Sequence, residues 1–255
     1  MIFQVLCEGP DDIAALREIA CLLFAARIQP FDRRAGAAGG PRSACLLVGQ
    51  NEVRVSASDS GKSKLPSMLA TALSQIPPQK QGKDADALQR ITVLYDPDDE
   101  PAESMCTKLT NQVAAEAKEW ALEGGGDEWR ARRSSDGLTL VVRAVPWRAP
   151  GDVVDGLEDK QNLERLLCFV AAAAYPNKAR VVERWLGEMS SAGGQPSWKA
   201  ALHLWCALVE VKATEANAPA RFLRQNEDCR PHVKPTLENV SLLRDLSVAF
   251  GIPGR

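Results

Sequence analysis

Two acidic runs carry the chemistry of this sequence. Ile2-Phe3-Gln4-Val5-Leu6-Cys7 leads into Glu8-Gly9-Pro10-Asp11-Asp12, and Ile91-Thr92-Val93-Leu94-Tyr95 leads into Asp96-Pro97-Asp98-Asp99-Glu100. Each reads as an apolar strand ending in carboxylates. If the two strands are neighbours in one sheet, their acidic ends converge. Clustered carboxylates repel unless a positive charge sits among them, and a hard divalent cation with oxygen ligands answers that need. Asp96 and Asp98 are two apart, so they share a side in extended backbone. Glu8, Asp96 and Asp98 are therefore predicted to hold one or two Mg²⁺ (or Mn²⁺) ions, with Glu100 counted among the metal ligands. Two such ions can stabilise the attacking and leaving oxygens of a phosphodiester. Asp12 is expected to orient the ligands or a metal-held water, and Gly9 lets the backbone turn tightly beside them. Asp after a strand also makes turns and caps helices. It is the pairing of both runs, each after an apolar strand and before a helix, that points to a site.

Alternating strand and helix must position these runs. Asp12–Ala25 places Ile13, Leu16, Ile19, Ala20 and Leu23 on one helical face. Ser43–Val48 reads as a strand, Glu52–Ser56 as a short third one, Leu65–Gln75 as a helix, and Ile91–Tyr95 as a buried strand. The Gly-, Ala- and Arg-rich stretch 33–42 and the polar stretch 77–86 read as loops. A long helix is predicted from Pro101 to about Glu123, ended by Gly124-Gly125-Gly126, followed by a strand over Leu138–Val145. This order argues for an α/β fold with a mostly parallel sheet over residues 1–150. Residues 151–255 read as a helical extension packed on the sheet or capping its active edge, with helices over Leu157–Ala174, Ala179–Met189, Trp198–Val211 and Leu237–Phe250.

Composition limits the function classes. The chain has 255 residues, 45% hydrophobic and 25% charged, with a net charge of -2. That suits a soluble globular protein and gives no global attraction to nucleic acid, so any such binding relies on local basic patches. No apolar run approaches a membrane span. Met1-Ile2-Phe3-Gln4 enters a strand directly, without a basic and then apolar leader, so the expected location is the cytoplasm. The seven cysteines form no Cys-x-x-Cys pair, which argues against zinc and for buried thiols in a reducing compartment.

Strand-Glu8-Gly9-x-x-Asp12 followed by Asp96-x-Asp98 on a later strand resembles the Toprim domain. That domain is shared by topoisomerases, DnaG-type primases, small RNA-maturation nucleases and the OLD nucleases. Gly61-Lys62-Ser63-Lys64-Leu65-Pro66 is similar to the corresponding OLD-type segment. The resemblance covers roughly Met1–Val145 and implies a compact Rossmann-like domain using Mg²⁺ for phosphodiester cleavage or transfer. In the second half, Gly156-Leu157-Glu158-Asp159 and Trp198-Lys199-Ala200 resemble the tail of small stand-alone Toprim-like proteins. By that resemblance Glu158 would approach the metals and Lys199 the scissile phosphate.

Other motifs add cations. Gly61-Lys62-Ser63 suggests a P-loop, but Ser56 stands where the first glycine is required. Lys62 and Lys64 are instead candidates for phosphate contact. Arg33, Arg34, Arg42 and the run Arg130-Ala131-Arg132-Arg133 are the basic patches available to nucleic acid, and Trp129 beside the last run could stack on a base. The leading expectation is a Mg²⁺-dependent nuclease acting on DNA or RNA. The alternative is a Toprim-like regulatory subunit or toxin partner of an ATPase in a bacterial defence system, since this sequence carries no ATPase domain of its own. Topoisomerase chemistry needs a tyrosine-bearing domain, and only Tyr95 and Tyr175 are present.

Overall fold

The computed structural model describes residues 1–29, 43–58, 61–77, 88–97, 101–151, 157, 160–212 and 218–252. Arg33, Arg34, Arg42, Asp98, Asp99, Glu100 and Glu158 lie outside the described residues.

One sheet organises the chain. Its strands are β1 (Ile2–Cys7), β2 (Arg27–Gln29), β3 (Ser43–Val48), β4 (Asn51–Ala57), β5 (Leu88–Tyr95), β6 (Trp120–Gly125), β7 (Glu128–Arg133) and β8 (Thr139–Pro146), in the order β2-β3-β4-β1-β5-β8-β7-β6. The four central strands, β4-β1-β5-β8, are parallel, and an antiparallel pair of strands extends the sheet on each side. β1 is therefore the neighbour of β5, as convergence of the acidic runs requires. The chain leaves β1 for β4 on one side and returns to β5 on the other. That reversal makes a switch point where the carboxyl ends open a crevice.

Both faces of the parallel centre are covered. On one face lie α1 (Pro10–Phe24) and, from the second half of the chain, α4 (Leu163–Ala174), α5 (Pro176–Ser191), α6 (Trp198–Leu208), α7 (Ala218–Gln225), α8 (Arg230–Asn239) and α9 (Leu242–Ala249). They share a core with Val5, Cys7, Leu46, Val55, Leu94 and Val145 from the strands. On the other face α2 (Leu65–Ser74) and α3 (Ala102–Glu116) pack over Leu6, Ile91, Val93 and Val142. Strand side chains alternate between faces, which is why Leu6 joins one core while Val5 and Cys7 join the other. The fold is α/β with a C-terminal helical part, as expected.

Several boundaries differ from the sequence reading. The helix expected to reach Glu123 stops at Glu116, because Trp120, 4% exposed, enters the core as the first residue of a strand paired with β7. The glycines read as a helix stop form the hairpin instead, with Gly124 and Gly126 at positive φ. α4 begins at Leu163, where the Asn162 side chain accepts a hydrogen bond from the Arg165 amide at 2.8 Å. The helix expected over Leu237–Phe250 is two, divided at Ser241 with φ 59°. α7 lies between the helices expected over Trp198–Val211 and Leu237–Phe250.

The thiols are all unpaired, and Cys7, Cys168, Cys206 and Cys229 are buried. Burial pushes Cys206 up to about 11 and Cys229 up to about 12, so neither is a thiolate at neutral pH. Among the described residues no helix is long and apolar enough to cross a membrane.

Candidate functional site

β1 and β5 deliver the two acidic runs to one edge. The Asp96 amide donates to Glu8 Oε1 at 2.8 Å, a direct link between the ends of adjoining parallel strands. Asp96 Oδ1 accepts a hydrogen bond from the Leu163 amide at 3.2 Å. Asp96 thus sits at the amino end of α4, where unpaired amides and the helix dipole favour an anion. The same turn brings Glu164 close enough to Asp12 to raise that carboxyl.

Asp12 is 6% exposed. Its Oδ2 accepts from the Gly9 amide at 2.9 Å and its Oδ1 from Trp147 Nε1 at 2.9 Å. Burial raises its pKa from 3.8 to about 7, against the lowering effect of those two donors; Glu164 and Asp11 push it further up. Asp12 therefore fixes the Gly9 turn and ties α1 to the segment after β8. Trp147 itself continues the sheet, its amide donating to the Tyr95 carbonyl at 2.8 Å.

Two lysines approach. Lys62 Nζ donates to the Pro97 carbonyl at 3.1 Å, which brings the Gly61–Lys64 turn to the acidic edge. The turn is a short 3-10 segment rather than a phosphate-cradling loop, and Lys64 stays exposed on it. Lys199, in the first turn of α6, lies within electrostatic reach of Asp11, as does His203 one turn later. Burial raises the Asp11 carboxyl, and Lys199 and His203 oppose that rise. Among the described residues, Asp11 Oδ1 and His203 Nε2 are both buried and find no hydrogen-bond partner.

The basic run on β7 goes elsewhere. Arg133 is 4% exposed and points inward. It donates to Asp136 at 2.6 and 2.9 Å and to the carbonyls of Ile76 and Pro77 at 2.6 and 3.1 Å, with its guanidinium 5.1 Å from the Trp120 ring centre. This corrects its assignment as a nucleic-acid contact. Trp129 is also buried, on the strand side opposite the exposed Arg130 and Arg132. Arg130 and Arg132 are exposed, but they pair with Val141 and Thr139 while Tyr95 pairs with Pro146. At ~3.3 Å per residue, Arg132 is roughly 23 Å along β8 from the acidic edge.

Metal fit rests on the donors present. Glu8 and Asp96 offer an all-oxygen pair on adjacent strand ends, which suits Mg²⁺ or Mn²⁺. Among the described residues no group of three or more His, Cys, Asp or Glu side chains is gathered to hold a metal. Asp98, Glu100 and Glu158 lie outside them. Sequence reasoning missed Trp147, Glu164 and His203. All three reach the edge through tertiary packing, and only the acidic first turn around Glu164 carried a local signal.

No family model matches the chain, and no curated protein matches it. Among solved structures, it is similar to the hypothetical protein PH0156 from Pyrococcus horikoshii OT3, at 13% identity and TM-score 0.66, covering 97% of this chain and 98% of that one. That likeness shows the fold. TioX from Micromonospora sp. ML1 also matches, at 13% identity and TM-score 0.18, over 56% of this chain and 96% of that one.

Proposed function

We propose that this chain is a Toprim-type, divalent-metal-dependent nuclease cleaving phosphodiester bonds in DNA or RNA at the Glu8–Asp96 edge. One observation carries the reading. Two acidic runs meet at the carboxyl ends of neighbouring parallel strands, where the Asp96 backbone amide donates to Glu8 Oε1 at 2.8 Å.

Glu8 and Asp96 would hold the metal, with Asp98, Glu100 and Glu158 as further candidate ligands. When bound, Mg²⁺ or Mn²⁺ would supply positive charge to the phosphodiester oxygens. The α4 amide at Asp96 fixes that carboxylate in one orientation. Asp12 keeps the Glu8–Gly9 turn in place through the Gly9 amide. Lys62 and Lys199 bring ammonium groups toward the same edge, where they would oppose phosphate charge.

The test is cleavage of single- and double-stranded DNA and RNA with Mg²⁺ or Mn²⁺. Glu8→Gln and Asp96→Asn are each expected to lower the rate at least ~100-fold. Cleavage at the wild-type rate in both variants would overturn the site.

A second reading has its own support. The Leu163 amide occupies one Asp96 oxygen, and the described residues gather no three-ligand group. Both features suit a regulatory subunit or toxin whose site is completed by an ATPase partner in a defence system. Calorimetric Mg²⁺ binding that Glu8→Gln abolishes, without cleavage by the chain alone, would favour it.

A further inference from the structure

A cavity of about 640 Å³ opens beside the acidic edge, between α3 and the β6–β7 turn. It lies at the carboxyl ends of β5 and β8, with Tyr95 and Pro146 in its lining. Tyr95 immediately precedes Asp96, so the cavity and the carboxylate pair share a strand end. Its size falls in the range of small-molecule sites.

The lining has a definite chemistry. Trp129, Pro146 and the Tyr95 ring give apolar surface, while Glu103 and Asn111 from α3 and Asp127 from the hairpin turn give polar groups. Tyr95 is 2% exposed. Arg148 also borders the cavity and is held by Asp245 of α9 at 3.0 Å. Asp245 in turn pairs with Arg143 at 2.8 Å, and Arg143 reaches Asp127 at 3.4 Å. The rim is thus a fixed ionic network.

Two rim carboxylates, Glu103 and Asp127, disfavour a phosphate inside. They suit a neutral flat ligand that brings N–H donors. Carboxylates accept from the exocyclic amino groups of bases, and amides such as Asn111 pair with base edges.

We propose that this cavity is a nucleobase subsite, favouring bases with an exocyclic amino group over uracil and thymine. The proposal rests on the nucleic-acid reading of the neighbouring edge and names what that edge would take. A strand whose phosphate lay at Glu8 and Asp96 would place an adjacent base against Tyr95, Asn111 and Glu103.

Free nucleosides in metal-free buffer separate this from the cleavage reading, because they carry no phosphate. Full-length protein is titrated with adenosine, guanosine, cytidine, uridine and thymidine by heteronuclear NMR. Saturable shifts are expected for the three amino-bearing nucleosides, with uridine and thymidine at least fivefold weaker. Asn111→Leu and Glu103→Gln, both at exposed positions, should each weaken binding at least fivefold with unchanged melting. Glu183→Gln, on the exposed side of α5, should leave binding as it is. No saturable binding, equal binding of uridine and cytidine, or wild-type affinity in both cavity variants would overturn the proposal. Loss of cleavage dependence on Glu8 with nucleoside binding intact would overturn the acidic edge alone.

Discussion

Asp12 shows how one residue holds competing demands. Two N–H donors favour its ionised form, and near-complete burial favours its neutral form. Burial wins, with the pKa raised from 3.8 to about 7. The sign for stability follows from linkage. The folded protein binds this proton more tightly than the unfolded chain, so Asp12's contribution is fully present below about pH 4 and is lost as pH rises through 7. Thermal melts of wild type and Asp12→Asn from pH 4.5 to 8.5 should show the wild-type advantage shrinking with pH, by on the order of a few kcal/mol. A constant difference would mean that Asp12 is ionised throughout. Glu8 and Asp96 were legible in the sequence because each directly follows an apolar strand. Trp147, which holds Asp12 across 135 residues of chain, was not: its role depends on β8 lying beside β5, which spacing cannot reveal.

At the scale of elements, β7 separates pattern from consequence. Glu-Trp-Arg-Ala-Arg-Arg looks like a basic patch when read as a string. Folded as a strand, it alternates, and Arg133 turns to the interior while Arg130 and Arg132 face solvent. Arg133→Gln should therefore cost about 2–4 kcal/mol of stability, since it removes the Asp136 pair and leaves the Ile76 and Pro77 carbonyls without their guanidinium. The salt dependence of nucleic-acid binding should be unchanged in that variant, a comparison made by chemical denaturation and by titration at several salt concentrations. A reduced salt slope would return Arg133 to the binding surface. The same hairpin was hidden from the sequence reading because Trp120 and Leu122 continue an apolar pattern that a helix also satisfies. The strands of the parallel centre were legible, being short, β-branched and bounded by turn residues. The three-residue β2 carried too little pattern to find.

The whole molecule is closed by its last helix. Arg90, at the start of β5, donates to the Val248 carbonyl at 2.9 Å, and Asn51 donates to the Gly251 carbonyl at 2.9 Å. Gly251 has φ +68°, and a Cβ there would meet the Phe3 ring. Gly251→Ala should lower stability by about 2–4 kcal/mol, read as a fall in Tm of roughly 5–10 °C. An unchanged Tm would show that α9 is not part of the cooperative unit. The sequence reading placed the C-terminal helices against the sheet without saying how. Beside the apolar core that they share with the strands, α9 and the residues after it are tied through backbone carbonyls, which leave no trace in residue type.

The outermost strands bear on how the protein behaves when concentrated. A sheet that does not close offers unpaired backbone at each margin, and a long flat margin recruits other chains into fibrils. Among the described residues the margins are β2, three residues long, and β6, which ends in two glycines with Gly124 at φ +129°. One is too short to template a partner, and the other loses ordinary extended backbone at Gly124. The exposed Ile28 on β2 is the place where a substitution lengthening the apolar margin would first turn a clear solution cloudy.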